Sequence, residues 1–97
     1  GVDVILMGPA DLSVSMGLAG QYDNPAVKGS IDKVMGVAKR KGVPVMCEIS
    51  YLARPLTAES VRELIERGLR LITFGSVEGA VRAACLNTME NMVKKIR

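Results

Sequence analysis

At 97 residues the chain has room for one domain, and 48% hydrophobic against 24% charged residues is the balance of a globular chain, not of a disordered one. A net charge of +3 with three aromatic residues and no tryptophan gives neither the basic footprint nor the stacking surface of a nucleic-acid binder. No unbroken apolar run is longer than the four residues of Val4 to Met7, far short of the roughly 20 residues of a membrane span. No basic stretch leads into an apolar one as in a signal peptide, and Cys47 and Cys85 stand too far apart for a disulfide framework or a metal knuckle, so a reduced, cytoplasmic setting is expected.

In chain order, the first element is a strand over Val2 to Met7, nearly continuously apolar and ended by Gly8-Pro9. A helix follows. Asp23-Asn24-Pro25 offers a capping side chain and a first-turn proline, Val27, Ile31, Val34 and Ala38 recur at helical spacing, and Gly42 closes it. Gly29 and Gly36 weaken this helix by about 1 kcal/mol each relative to alanine. A second strand spans Val43 to Ile49. The next helix opens at Thr57, carries Val61, Leu64 and Ile65 on one face, and stops at Gly68. A third strand, Leu69 to Phe74, ends in Gly75-Ser76. Ser76 can cap the last helix, whose stripe is Val81, Cys85, Met89, Met92 and Ile96. Basic residues cluster at two helix ends, Lys39-Arg40-Lys41 and Lys94, Lys95 and Arg97, where they complement the helix dipole.

Short apolar runs without strict alternation suit parallel strands covered on both faces. Strand–helix alternation repeated three times implies right-handed crossovers and an α/β fold with a parallel sheet. Three such units form either an open sheet or part of a (β/α)8 barrel, which needs about 250 residues in full. The chain begins at Gly1, directly before a strand, and reads as a piece of a longer protein.

Reactive groups in both architectures gather at the carboxyl ends of the strands. Three segments lie there: Gly8-Pro9-Ala10-Asp11, Glu48-Ile49-Ser50, and Gly75-Ser76-Val77-Glu78. Gly8 admits a close approach of backbone to ligand and Pro9 stiffens the turn. The amides of Ala10 and Asp11 can then face an anion, and the Asp11 carboxylate offers a hard oxygen to a divalent cation. The plainer alternative is that Asp11 caps a short turn over Leu12 to Met16, assisted by Ser13. Glu48 has two readings as well: turned into a barrel mouth it meets substrate or repels a carboxylate-bearing one, and turned outward it pairs with Arg54 or a solvent cation. Glu78 would oppose a phosphate at Gly75-Ser76, which favours a plain helix start there. With no neighbouring base, Cys47 and Cys85 read as core residues. The stripe at Met89 and Met92 reads as a packing face. The chain has no histidine, so the commonest general base is missing from it.

The run G-V-D-V-I-L-M-G-P-A-D-L-S-V-S-M-G-L-A-G-Q, Gly1 to Gln21, resembles the sixth-strand signature of the HpcH/HpaI family of metal-dependent (class II) pyruvate aldolases. The likeness continues through Asn24-Pro25-Ala26-Val27 and the Lys41-Gly42 that enters the next strand; beyond Gly42 it is mainly one of architecture. The resemblance implies that residues 1–97 are the last three β/α units of a (β/α)8 TIM barrel. It implies that Asp11 is a ligand of Mg2+ or Mn2+, and that Gly8, Pro9, Ala10 and Asp11 hold pyruvate or another 2-oxo acid, the Ala10 and Asp11 amides taking its carboxylate. The chelated ion would polarise the ketone and stabilise the enolate formed when the carbon–carbon bond to an aldehyde breaks, and the two amides would orient it. A homo-oligomer is implied too, because in the similar phosphoenolpyruvate mutase and isocitrate lyase superfamily the eighth helix packs on a neighbouring subunit. The family's other metal ligand, a glutamate, and its base histidine and arginine belong to earlier strands that this chain does not contain, so these residues alone are expected to be inactive. An alternative of another class is a non-catalytic α/β module, or a partial barrel that self-associates through its open sheet edges.

Overall fold

The computed structural model describes residues 1–96; Arg97, the last member of the second basic cluster, lies outside them. The elements are β1 (Ile5–Met7), α1 (Pro9–Ser15), α2 (Pro25–Lys41), β2 (Val45–Glu48), α3 (Ile49–Leu52), α4 (Ala58–Glu66), β3 (Leu69–Thr73) and α5 (Val77–Ile96). The strands form one parallel sheet in the order β1-β2-β3. Cys47 is paired with Met7 on one side and with Ile72 on the other, so β2 is the central strand. A register irregularity between Val45 and Met46 skips one residue of β3. All three strands are shorter than the apolar runs that contain them, because ladder pairing begins only at Ile5 opposite Val45 and ends at Glu48 opposite Thr73.

The long helix α2 forms where its residues predict. The Asn24 side chain accepts a hydrogen bond from the Ala26 amide at 3.0 Å and Pro25 occupies the first turn. Gly42 ends the helix in the left-handed region at φ 69°, a conformation that costs a residue with a side chain more than glycine. Its buried face, Val27, Ile31, Met35 and Ala38, lies on Met7, Val45 and Cys47 of the sheet, with Leu64 and Leu69 completing the core. Burial of such side chains contributes about 1.5–3 kcal/mol each, and this layer is the main source of stability. Helix α4 starts in a reciprocal cap, Thr57 Oγ1 accepting from the Ser60 amide and Ser60 Oγ from the Thr57 amide.

Helix α5 starts as expected, with the Gly79 amide donating to Ser76 Oγ at 3.0 Å, but it buries no side chain. Its whole stripe is exposed, Met89 by 62% and Ile96 by 79%. The expectation that Cys85 is a core residue is therefore corrected: the thiol is exposed, because the helix that carries it has no layer of this chain beneath it. Leu71, Ile72 and Phe74 around β3 are also exposed. The radius of gyration, 16.3 Å, exceeds the roughly 13 Å of a compact 100-residue domain for the same reason.

Candidate functional site

The first strand-end segment folds as a helix start. Gly8 precedes α1 with no side-chain cap, Pro9 fills the first helical position, and the first paired amide is that of Leu12, bonded to the Gly8 carbonyl at 2.9 Å. The amides of Ala10 and Asp11 precede that bond and have no carbonyl within the helix to pair with. Asp11 lies inside the helix rather than at its cap, which corrects the plainer reading of that residue and of Ser13. Ser13 is fully buried; its hydroxyl donates to the Ala10 carbonyl at 2.7 Å and accepts from the Gly20 amide at 3.3 Å, bracing the segment from below. The Asp11 carboxylate folds back toward the strand end. A Cβ placed on Gly8 would come within 3.3 Å of Asp11 Oδ2, so glycine here leaves the carboxylate room.

Glu48 closes β2 and caps α3. Its Oε1 accepts from the Ser50 amide at 3.0 Å and its Oε2 from the Ser50 hydroxyl at 2.5 Å. Oε1 also lies 4.0 Å from where a Cβ on Gly75 would sit, which places the carboxylate at the carboxyl ends of both β2 and β3. Glu48 does not pair with Arg54: Arg54 pairs with Asp23 at 3.4 Å and stands 5.6 Å above the Tyr22 ring. Among the described residues Glu48 has no cationic partner.

Two residues of this region were not singled out from the sequence. Tyr22, in the loop after α1, and Tyr51, in α3, meet edge to face with centroids 4.9 Å apart. Both line a cleft of about 320 Å³ with Lys28, Leu52, Arg54 and Arg67. Tyr51's hydroxyl is held above its ordinary range, by Tyr22 first, then by burial and by the charges of Glu48 and Asp11. Asp11, Glu48 and Tyr51 thus share one end of the sheet. The parallel pairing of β1 with β2 makes the strand ends that carry Asp11 and Glu48 neighbours, as the strand–helix alternation implies; Tyr51 is the member that no local sequence pattern announces.

Asp11 alone does not make a metal centre. Among the described residues no three potential ligand side chains converge, whereas magnesium demands near-octahedral oxygen ligation. No described helix is long and apolar enough to cross a membrane.

With a parallel three-stranded α/β sheet and a strand-end aspartate in view, comparison with known proteins defines the class: the chain matches about a third of the length of TIM-barrel aldolase structures. It aligns with an HpcH/HpaI aldolase/citrate lyase family protein from Burkholderia cenocepacia J2315 at a TM-score of 0.74 and 27% identity, over 95% of this chain and 34% of that one. The HpcH/HpaI aldolase from Desulfitobacterium hafniense DCB-2 gives 0.73 and 25%, over 94% and 33%. The citrate synthase SbnG, at 0.78 and 20% identity over 96% and 36%, shares the fold. In sequence, the chain is homologous to 5-keto-4-deoxy-D-glucarate aldolases, at 32% identity to that of Klebsiella pneumoniae and 36% to that of Salmonella newport, each over 84 residues. Those 84 residues are 87% of this chain, and the match spans about 30% of the length of these curated relatives. No protein-family model matches the chain.

Proposed function

We propose that residues 1–97 are the last three β/α units of a (β/α)8 barrel that catalyses aldol cleavage or formation through a pyruvate enolate, with Mg2+ or Mn2+ as the required ion. The observation that carries this reading is the Gly8-Pro9-Ala10-Asp11 turn at the carboxyl end of β1, in a chain homologous to aldolases over most of its length. The Ala10 and Asp11 amides present two aligned donors with no helical acceptor, which suits one carboxylate of a 2-oxo acid. Holding that carboxylate fixes the ketone and the bond beta to it in one orientation. In the cleavage direction the 4-hydroxyl loses its proton, the C3–C4 bond breaks to leave an aldehyde, and its electron pair delocalises into the ketone as the pyruvate enolate. A proton delivered to C3 then completes pyruvate. The chain contributes Asp11 as one ligand of the ion; the remaining ligands and the base must come from residues outside these 97, so the isolated segment is inactive. The aldehyde is the second substrate, and the setting is cytoplasmic.

The same reading assigns α5 an inter-subunit role in a homo-oligomer, with exchange of this helix between copies. The exposed stripe Val81, Met89, Met92 and Ile96 supports it.

Calorimetry of the complete polypeptide with oxamate, a non-cleavable pyruvate mimic, tests the site. Oxamate is expected to bind only when Mn2+ is present, and Asp11→Ala is expected to remove that binding. Absence of binding, or binding indifferent to both the metal and Asp11, would overturn the metal-dependent pyruvate site.

A further inference from the structure

We infer that Ser13 is a positioning residue of the 2-oxo acid site, its buried hydroxyl aiming and strengthening the Asp11 amide that holds the substrate carboxylate. The inference rests on the aldolase reading above and adds a residue to that same site.

Among the described residues Ser13 is the only buried polar side chain. On local grounds a serine is a poor choice there, because a hydroxyl out of water costs free energy unless it is bonded, and serine forms helix less well than alanine. Its two hydrogen bonds show what the hydroxyl does. It accepts from the Gly20 amide at 3.3 Å, which ties the loop after α1 to the helix, and it donates to the Ala10 carbonyl at 2.7 Å. The Ala10 carbonyl and the Asp11 N–H belong to one planar peptide unit, so a bond that fixes the oxygen fixes the direction of the N–H on the far side. That N–H is one of the two donors with no acceptor in the helix. Hydrogen bonds in series polarise one another, so an amide whose oxygen is held by a hydroxyl is a stronger donor to a carboxylate. Ser15 makes a bond of the same kind with a different consequence. Its hydroxyl donates to the Leu12 carbonyl at 2.8 Å, but it is exposed, and the peptide it holds carries the Ser13 N–H, which helix geometry pairs within α1. Every group in this arrangement lies between Gly8 and Gly20, so it is complete within this chain.

The test uses the complete polypeptide that carries these residues. Binding of Mn2+ alone is followed by electron paramagnetic resonance, and binding of oxamate at saturating Mn2+ by calorimetry. Ser13→Ala is expected to raise the oxamate Kd about three- to tenfold and to leave the Mn2+ Kd within about twofold of the wild type, since the Asp11 carboxylate is untouched. In exchange of the pyruvate methyl protons with deuterated buffer, the same variant is expected to raise KM and leave kcat nearly unchanged, because the carboxylate is held alike before and after the proton leaves. Ser15→Ala is expected to change none of these values. Ser13→Cys keeps a weaker donor in place; it is expected to raise the oxamate Kd less than alanine does, and it supplies the same comparison if the alanine variant does not fold. An oxamate Kd that the Ser13 variants leave unchanged overturns the inference, because the hydroxyl would then be idle at the site. A Mn2+ Kd that rises in step with that of oxamate, or a fall in kcat at constant KM, overturns it as well, because Ser13 would then support the turn as a whole. These outcomes spare the aldolase reading. A wild-type polypeptide that binds no oxamate in the presence of Mn2+ overturns both.

Discussion

Cys47 and Cys85 have the same side chain and opposite environments. Cys47 is fully buried in β2, its thiol donating to the Glu48 carbonyl at 3.3 Å, and burial together with the Glu48 charge pushes its pKa from 9.0 up to about 11. Cys85 is exposed on α5. In the monomeric chain a disulfide-exchange reagent at pH 8 is therefore expected to titrate one thiol rapidly and the second only on unfolding. The same shift sets a pH dependence. The native state holds the Cys47 proton more tightly than the unfolded chain does, so its contribution to stability is complete below pH 9 and is lost as pH rises through about 11. Denaturant midpoints measured from pH 8 to 11 are expected to fall over that interval, and Cys47→Ser to flatten the fall. The burial of Cys47 was legible from its place in an apolar run; that of Cys85 was not, because helical spacing reports which residues share a face and not what covers it. Glu48 shows the same limit: its position at a strand end follows from the run of apolar residues, and its direction only from the Ser50 donors and the commitment of Arg54 to Asp23.

Among the elements, α2 was the most legible because the Asn24 cap, Pro25 and Gly42 mark both its ends; Gly29 and Gly36 do not break it, and on its apolar face Met35 is buried where the spacing put Val34, which is exposed. Its buried face makes Met35, 1% exposed, the residue whose loss costs most; Met35→Ala is expected to destabilise by about 2–4 kcal/mol in urea unfolding. Gly29 tests the opposite direction. A Cβ there meets nothing within 4 Å, so Gly29→Ala is expected to stabilise by about 1 kcal/mol, since only backbone entropy changes. A loss of stability at that position would mean that the glycine serves close approach of a surface not present in these residues. The short helices α1 and α3 were not legible as such. Seven and four residues carry too few turns for periodicity, and α3 begins only because Glu48 turns back to cap it. These are also the elements that hold Asp11 and Tyr51, so the parts nearest the candidate site carried the weakest local signals.

The whole molecule has one well-made layer, α2 and α4 on the sheet, and apolar surface elsewhere. Leu6 on β1, Phe74 beyond β3 and Met89 on α5 are 69%, 76% and 62% exposed, and β1 and β3 each leave one ladder edge unpaired. Large exposed apolar patches are rare on stable monomers, and unpaired edges of buried-type strands invite further pairing. Structures of about three times this length share the fold, which is the setting in which such edges become interior. The 97-residue chain by itself is accordingly expected to sediment as species larger than its 10.4 kDa mass at micromolar concentration. Two contributions can be separated by substitution. Met89→Glu with Val93→Glu charges the apolar groove that these residues form with Leu86 on α5, and Phe74→Lys charges the end of β3. If helix exchange drives association, the α5 pair returns the chain to a monomer and Phe74→Lys does not; if sheet edges drive it, the ranking reverses. A wild-type chain that stays monomeric across the concentration series would remove the self-associating partial barrel as a reading. It would leave these surfaces as faces that only the rest of a barrel, in the same polypeptide, is shaped to cover.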